Sequence, residues 1–391
     1  MALPSSSLAG DSVQPSEFLK DDLITCPGMF CVDGGMANIN SIEGIKPLAE
    51  IGFPGAQFVL ANMYYVGEGV DQDFEQALYW YEQSAKQGDI RSQVVLANMY
   101  YVGEGVEENF KKALYWYEKA AVAGHAESQF NLAGLYFLGN GTDQDFEQAL
   151  YWYEQAALQD NSMGQNNLAN MYQHGVGVEQ DFEQAVHWYR KSALQGYPQA
   201  QFSLAGMYDE GTGVDQDFEQ ALYWYKQAAE QGHMEAQYKA AAMYGQGKEV
   251  EQDFEQAFYW NKKSAEQGFA QAQFSLAGLY AQGKGVEQNL EQVFYWVQLS
   301  ARQGFALAQH QLAVMYYKGD GVERDFKKAF LLFQQAAKKG YHNSQFHLAS
   351  MYAQGIGVSR DLSYAIYWYQ QAAERGHVRS QLELNRLLYH R

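Results

Sequence analysis

The sequence predicts an all-α fold built as an array of nine helical hairpins, and three observations point to it. A tyrosine recurs every 36 residues, at Tyr64, Tyr100, Tyr136, Tyr172, Tyr208, Tyr244, Tyr280, Tyr316 and Tyr352, with no slip in register. Within each interval, two apolar-periodic runs flank a pair of glycines. All eight tryptophans fall at one position of the second run, namely Trp80, Trp116, Trp152, Trp188, Trp224, Trp260, Trp296 and Trp368, with Leu332 in the remaining copy. A unit of this length cannot enclose a core alone, so neighbouring copies must cover its apolar faces.

Residues 1–37 break the pattern and carry Pro4, Pro15, Pro27 and Gly34-Gly35, which predicts a loosely ordered arm. Residues 38–54 thread in register as a degenerate second helix that would cap the first hairpin. Ile45 takes the place of Tyr81 and Ala49 that of Ala85, while Pro47 predicts a late start. The array then occupies residues 55–391. In the first unit Gln57, Leu60, Ala61 and Tyr64 fall at i, i+3, i+4 and i+7, one face of a first helix. Gly67 and Gly69 suit a turn with positive φ. Asp73, with Gln76 three residues on, predicts a capped second helix in which Phe74, Ala77, Leu78, Tyr81 and Ala85 share an arc. Gly88 supplies a left-handed stop, and Asp160 stands at that position in the third copy. Residues 378–389 read as a lone first helix, a C-terminal capping helix where stacking ends.

Composition narrows the function. With 47% apolar and 15% aromatic residues the chain has ample material for a packed core. Burying about 200 Å² of each tryptophan at about 25 cal/mol/Å² gives roughly 5 kcal/mol gross, so that row reads as packing. A net charge of -19 with no Lys/Arg run argues against nucleic acid and anionic membrane surfaces as partners. No apolar stretch approaches the roughly 18 residues of a membrane-spanning helix, which predicts no membrane insertion. Residues 1–10 have no basic and apolar signal pattern, which predicts a cytoplasmic protein or one exported by a route without a Sec-type signal. Cys26 and Cys31 are the only cysteines, too few for a disulfide in each repeat or a four-cysteine metal site.

The unit's motif is a small residue, Gln, then Leu-Ala, Met-Tyr, Gly-x-Gly-Val, Asp-Phe, Ala, Trp-Tyr, Ala-Ala and Gly. At 36-residue spacing it closely resembles the Sel1-like repeat family, a branch of the tetratricopeptide superfamily, over residues 53–391. The resemblance implies a right-handed α-solenoid with first helices on the concave side and second helices on the convex side. It also implies an adaptor role, with many bacterial members acting in interactions with host cells. The cysteine-rich branch pairs cysteines within each repeat and this chain does not, so the penicillin-directed activity proposed for that branch transfers poorly. A β-lactamase-like hydrolase is the enzymatic alternative.

If one face of the first helix is core, subtraction leaves positions 55, 59, 62 and 66 and their copies as a groove. The candidate partner-binding residues on it are Val59, Val95, Asn131 and Asn167; Asn62, Asn98 and Asn170; and Val66, Val102, Leu138 and His174. The resemblance places Asn62, Asn98 and Asn170 where peptide-binding tetratricopeptide arrays hold a partner's backbone, and an amide offers both donor and acceptor for that. Phe58, Val94 and Phe130 occupy a position where the family's C-terminal-carboxylate clamp would want lysine, which speaks against that ligand. A second row, Tyr79, Tyr115, Tyr151, Tyr223, Tyr259, Tyr295 and Tyr367, lies about 140° from Phe74 and offers a self-association face. No Ser-x-x-Lys, His-Glu-x-x-His, Gly-x-Ser-x-Gly or Walker A pattern occurs. We therefore expect no catalytic residues, no metal site and no cofactor. His125, His233 and His377 follow the stop glycine and read as cations near a helix C-terminus.

Overall fold

The structure, a computed structural model, describes residues 30–32, 35–37, 41–247 and 250–389. Two short antiparallel strands, β1 (Phe30–Val32) and β2 (Gly35–Ala37), pair with Phe30 opposite Ala37. The loose arm expected over residues 1–37 placed no strand there, and residues 1–29 lie outside the described ones. All the remaining elements are helices. After α1 (Ile42–Glu50) come α2 (Pro54–Val66), α3 (Phe74–Lys86), α4 (Ile90–Val102), α5 (Phe110–Val122), α6 (Ala126–Leu138), α7 (Phe146–Leu158), α8 (Ser162–His174), α9 (Phe182–Leu194) and α10 (Pro198–Glu210). They continue as α11 (Phe218–Glu230), α12 (Met234–Gln246), α13 (Phe254–Glu266), α14 (Ala270–Gln282), α15 (Leu290–Arg302), α16 (Ala306–Lys318), α17 (Phe326–Lys338), α18 (His342–Gln354), α19 (Leu362–Ala373) and α20 (Val378–Tyr389). Nine hairpins, α2–α3 to α18–α19, thus form an all-α repeat solenoid. The chain divides into two compact units, one of residues up to 200 with 211–215, the other of 201–210 with 216 onward.

Helix α1 begins five residues ahead of Pro47, earlier than expected. Ser41 Oγ accepts from Gly44 N at 3.4 Å and caps the helix, and Pro47 forgoes only its own N–H bond. Ile45 and Ala49 are buried, in keeping with their register against Tyr81 and Ala85. The turn after α2 is tight because Gly67 N and Glu68 N both donate to the Met63 carbonyl, at 2.8 and 3.1 Å. Gln72 Nε2 braces the loop by donating to Tyr65 O at 2.8 Å. Gln144, Gln180, Gln216, Gln252 and Gln288 repeat that bond, and Arg360 substitutes its guanidinium. Asp73 Oδ1 accepts from Glu75 N and Gln76 N, both at 3.0 Å, and starts α3.

Stacking between repeats depends on the second glycine of the loop. At Gly105, with φ 71°, a Cβ would lie 2.5 Å from the Phe74 ring of the preceding repeat, so only glycine permits the approach. Asp160, with φ 61°, holds the left-handed stop where the other copies use glycine. Polar side chains link the stack as well. Gln93 Nε2 donates to Ala85 O at 3.1 Å, Gln129 to Ala121 O at 3.1 Å and Gln273 to Ala265 O at 3.2 Å. Each such bond contributes about 1 kcal/mol net, and losing one partner leaves a buried group unpaired at a cost of about 1–3 kcal/mol. Trp80, Trp116, Trp188, Trp224, Trp260 and Trp296 are buried and Trp152 and Trp368 half-buried, as packing residues should be.

Candidate interaction surface

The second helices of the first unit carry Tyr81, Tyr117, Tyr153 and Tyr189 at one position, all fully buried. Three of the hydroxyls reach back to the first helix of their own repeat, while that of Tyr153 has no hydrogen-bond partner among the described residues. Tyr81 donates to Asn62 Oδ1 and Tyr117 to Asn98 Oδ1, while Tyr189 Oη lies 2.8 Å from Asn170 Oδ1 and 2.7 Å from Gln173 Oε1. The third repeat has Gly134 there, where a Cβ would sit 3.7 Å from Tyr153 Oη. Burial drives the phenols of Tyr81, Tyr117 and Tyr153 well above the ordinary tyrosine range, so they stay neutral donors.

This arrangement corrects the open groove expected by subtraction. Asn62, Asn98, Asn167 and Val95 are buried, with Asn98 only 4% exposed. The reason is that a first helix is covered on both sides by second helices; in α4, residues 92–100 are buried without a break. The asparagines are also already engaged, Asn62 and Asn98 by tyrosine hydroxyls and Asn167 by Asn166 Nδ2 at 3.1 Å. Val59, Asn131 and Asn170 are half-buried. Val66, Val102 and Leu138 are 49%, 47% and 42% exposed, and His174 is exposed too. These four end α2, α4, α6 and α8, so the structure separates the eleven residues into a buried floor and an exposed row.

Sequence reasoning missed what holds that row. Tyr65 packs edge-on against Phe74 at 5.5 Å, Tyr101 against Phe110 at 5.5 Å and Phe137 against Phe146 at 5.2 Å, pinning the end of each first helix to the second helix of its repeat. Burial, together with a hydrogen bond to Glu104, pushes the Tyr65 phenol up. The signal was an aromatic directly before Val66, Val102 and Leu138; before His174 stands Gln173, which meets the Tyr189 hydroxyl instead. The histidine expectation also changes. His125, His233 and His377 are N-caps, their Nδ1 atoms accepting from Ser128, Ala236 and Ser380 N, each at 3.2 Å. Burial lowers the pKa of all three, and an acceptor nitrogen must be unprotonated, so they act as neutral acceptors and not as cations. Tyr79 and its copies are about half exposed, each ring edge-on to the next tryptophan, as for Tyr79 and Trp80 at 4.9 Å. Among the described residues no group of three or more His, Cys, Asp or Glu could hold a metal ion, and no helix is long and apolar enough to cross a membrane.

The Sel1 repeat model matches nine consecutive segments of the chain, from 54–89 to 342–377. The chain belongs to the Sel1 repeat family. It is 35% identical to c5321, a protective antigen present in uropathogenic Escherichia coli strains, whose crystal structure displays this repeat fold. That match covers 90% of this chain and 83% of the antigen, with a TM-score of 0.56. A Sel1 repeat protein from Oxalobacter formigenes is 31% identical over 79% of this chain and 90% of its own, with a TM-score of 0.64. No curated protein matches the chain. Sel1 repeat proteins are in general scaffolds for protein–protein interaction. In this Sel1 array, the exposed row at the ends of α2, α4, α6 and α8 is built on helices fixed by aromatic pairs and tyrosine hydroxyls.

Proposed function

We propose that this protein is a non-enzymatic scaffold that binds a protein segment on the first-helix surface of its first unit. The segment lies along Val66, Val102 and Leu138, with His174 continuing the row. Val59, Asn131 and Asn170 meet it at their exposed edges. Asn62, Asn98, Asn167 and Val95 hold the floor from beneath and do not touch it. The observation that carries this reading is the recurrence of an exposed apolar side chain at one position in three successive repeats. Glu68 and Glu104 flank the row, and the chain's net charge is -19, which favours a segment that is apolar with basic flanks. The likeness to a uropathogen antigen supports a bacterial protein acting at a host interface.

Affinity capture from the native cell, with wild type compared against the triple variant Val66→Glu, Val102→Glu, Leu138→Glu, tests the proposal. The variant should lose a protein captured by wild type while its helicity and melting stay unchanged. Undiminished capture would remove this surface from consideration.

A further inference from the structure

In the second unit the tyrosine position of the second helices is interrupted. Tyr225 and Tyr369 keep it, but the repeats between carry Asn261, Val297 and Phe333. Asn261 is 5% exposed, and its Oδ1 has no hydrogen-bond partner among the described residues. A buried amide oxygen with nothing to accept from is costly and calls for a donor.

The first helices facing this stretch are stripped as well. Ala242 and Gly278 stand where the first unit has Asn62 and Asn98, and Gly245 and Ala281 where it has Tyr65 and Tyr101; all four are half-buried. At Gly206, opposite Tyr225, an added Cβ would meet the tyrosine hydroxyl at 3.7 Å, whereas at Gly278 it would meet nothing within 4 Å. Small residues on the first helices thus coincide with the loss of tyrosine from the second, and Gly278 has open room where a side chain would begin.

We propose that α12 and α14 form a notch for a tyrosine side chain of a protein partner, the ring lying over Ala242 and Gly278 and the hydroxyl bonding the Asn261 amide. The chain itself argues for that occupant, because in the first unit Tyr117 fills the equivalent space and gives its hydroxyl to the Asn98 amide. A phenol both donates and accepts, so it matches either end of an amide. The notch consists only of second-unit residues and stands or falls separately from the row at Val66, Val102 and Leu138.

Ligand-observed NMR titration of the full chain with N-acetyl-tyrosinamide, N-acetyl-phenylalaninamide and N-acetyl-tryptophanamide as probes tests it. The tyrosyl probe should bind saturably, and about fivefold more tightly than the phenylalanyl one, for want of the hydrogen bond. Asn261→Tyr restores the pattern of the other repeats and should abolish binding with helicity retained. Gly278→Leu, which fills the notch from the first helix, should do the same and decides the matter if Asn261→Tyr does not fold. No saturable binding, a phenylalanyl or tryptophanyl probe binding as well as the tyrosyl one, or binding that survives a folded filled variant would each overturn the proposal.

Discussion

The two units repeat one 36-residue plan and differ in what fills the space between first and second helices. The first unit uses Tyr81, Tyr117, Tyr153 and Tyr189, with amides at Asn62, Asn98 and Asn170 to receive the hydroxyls. The second unit keeps Tyr225 and Tyr369 but places Asn261, Val297 and Phe333 between them, facing Ala242, Gly278 and Val314. The hairpin backbone is the same in both, with its glutamine braces, close-packed glycines and Asp or Asn caps. The repeat spacing is therefore fixed by backbone-directed residues, and the interior beneath the first helix is free to vary. One region spends that freedom on a rigid polar clamp, the other on space.

The largest test of this contrast compares Tyr117→Ala with Asn261→Ala. Removing Tyr117 opens a cavity and orphans Asn98, and should cost about 3–5 kcal/mol. Asn261 has no bond at Oδ1 to lose, so its truncation should cost less than about 1 kcal/mol. Urea unfolding followed by circular dichroism, with amide exchange to locate the loss, measures both, and equal costs would break the comparison. Next in size is Tyr117→Phe, which keeps the ring and strands the Asn98 oxygen at a cost of about 1–3 kcal/mol. Adding Asn98→Leu should recover most of that, giving a non-additive cycle; costs that sum to within about 0.5 kcal/mol would mean the pair is not coupled.

The second unit also gathers histidines. His310 lies 2.9 Å from Ser344 Oγ, with the rings of His347 and Tyr341 beside it, and His342 approaches His377. Burial first, then the neighbouring His347 and His342, lowers His310 to about 4. His347 and His377 are lowered too, again chiefly by burial, with Lys318 and Arg379 among the charges acting on them. Because the unfolded chain binds these protons more readily, stability is present above the ordinary histidine pKa and is lost as pH falls from about 6.5 toward 4. Amide exchange in α16 and α18 should accelerate over that window more than in α4 of the first unit, which holds no histidine. Equal acceleration would remove the cluster as the cause.

Much of this was legible in the chain. Nine tyrosines in strict register and paired glycines specify the hairpins, because turn and stop conformations are local properties. The buried face of the second helix was legible for the same reason, since Ala77, Tyr81 and Ala85 share one arc. The first helix was not. Its residues from Ser92 to Tyr100 are covered on all sides, so helical period alone could not say which face was open, and the asparagines assigned to a groove lie beneath it. What decides their fate is Tyr117 reaching Asn98 across 19 residues, a pairing invisible to any window of local sequence. The histidine caps were missed because residue 125 ends one signal and begins another, and only the Nδ1 to Ser128 distance tells which it serves.

The smallest effect sharpens the comparison by separating unit from chemistry. In the first unit, Asp89 Oδ1 caps α4 by accepting from Ser92 N at 3.0 Å, while in the second His233 Nδ1 caps α12 at 3.2 Å. Either residue changed to Ala should cost about 1 kcal/mol at neutral pH. The His233 cap weakens as pH falls below the ordinary histidine pKa and is lost once pH passes the lowered pKa of the folded state, because a protonated Nδ1 cannot accept, whereas the Asp89 side-chain oxygen still can. His233→Asn should therefore keep the first turn of α12 protected in amide exchange as pH is lowered through the histidine range, while wild type loses that protection on protonation. His125, which caps α6 in the first unit, provides the control. If acid sensitivity follows the capping atom, the first turn of α6 will fray with that of α12 and not with that of α4. Fraying of α6 in step with α4 would instead tie the behaviour to the unit.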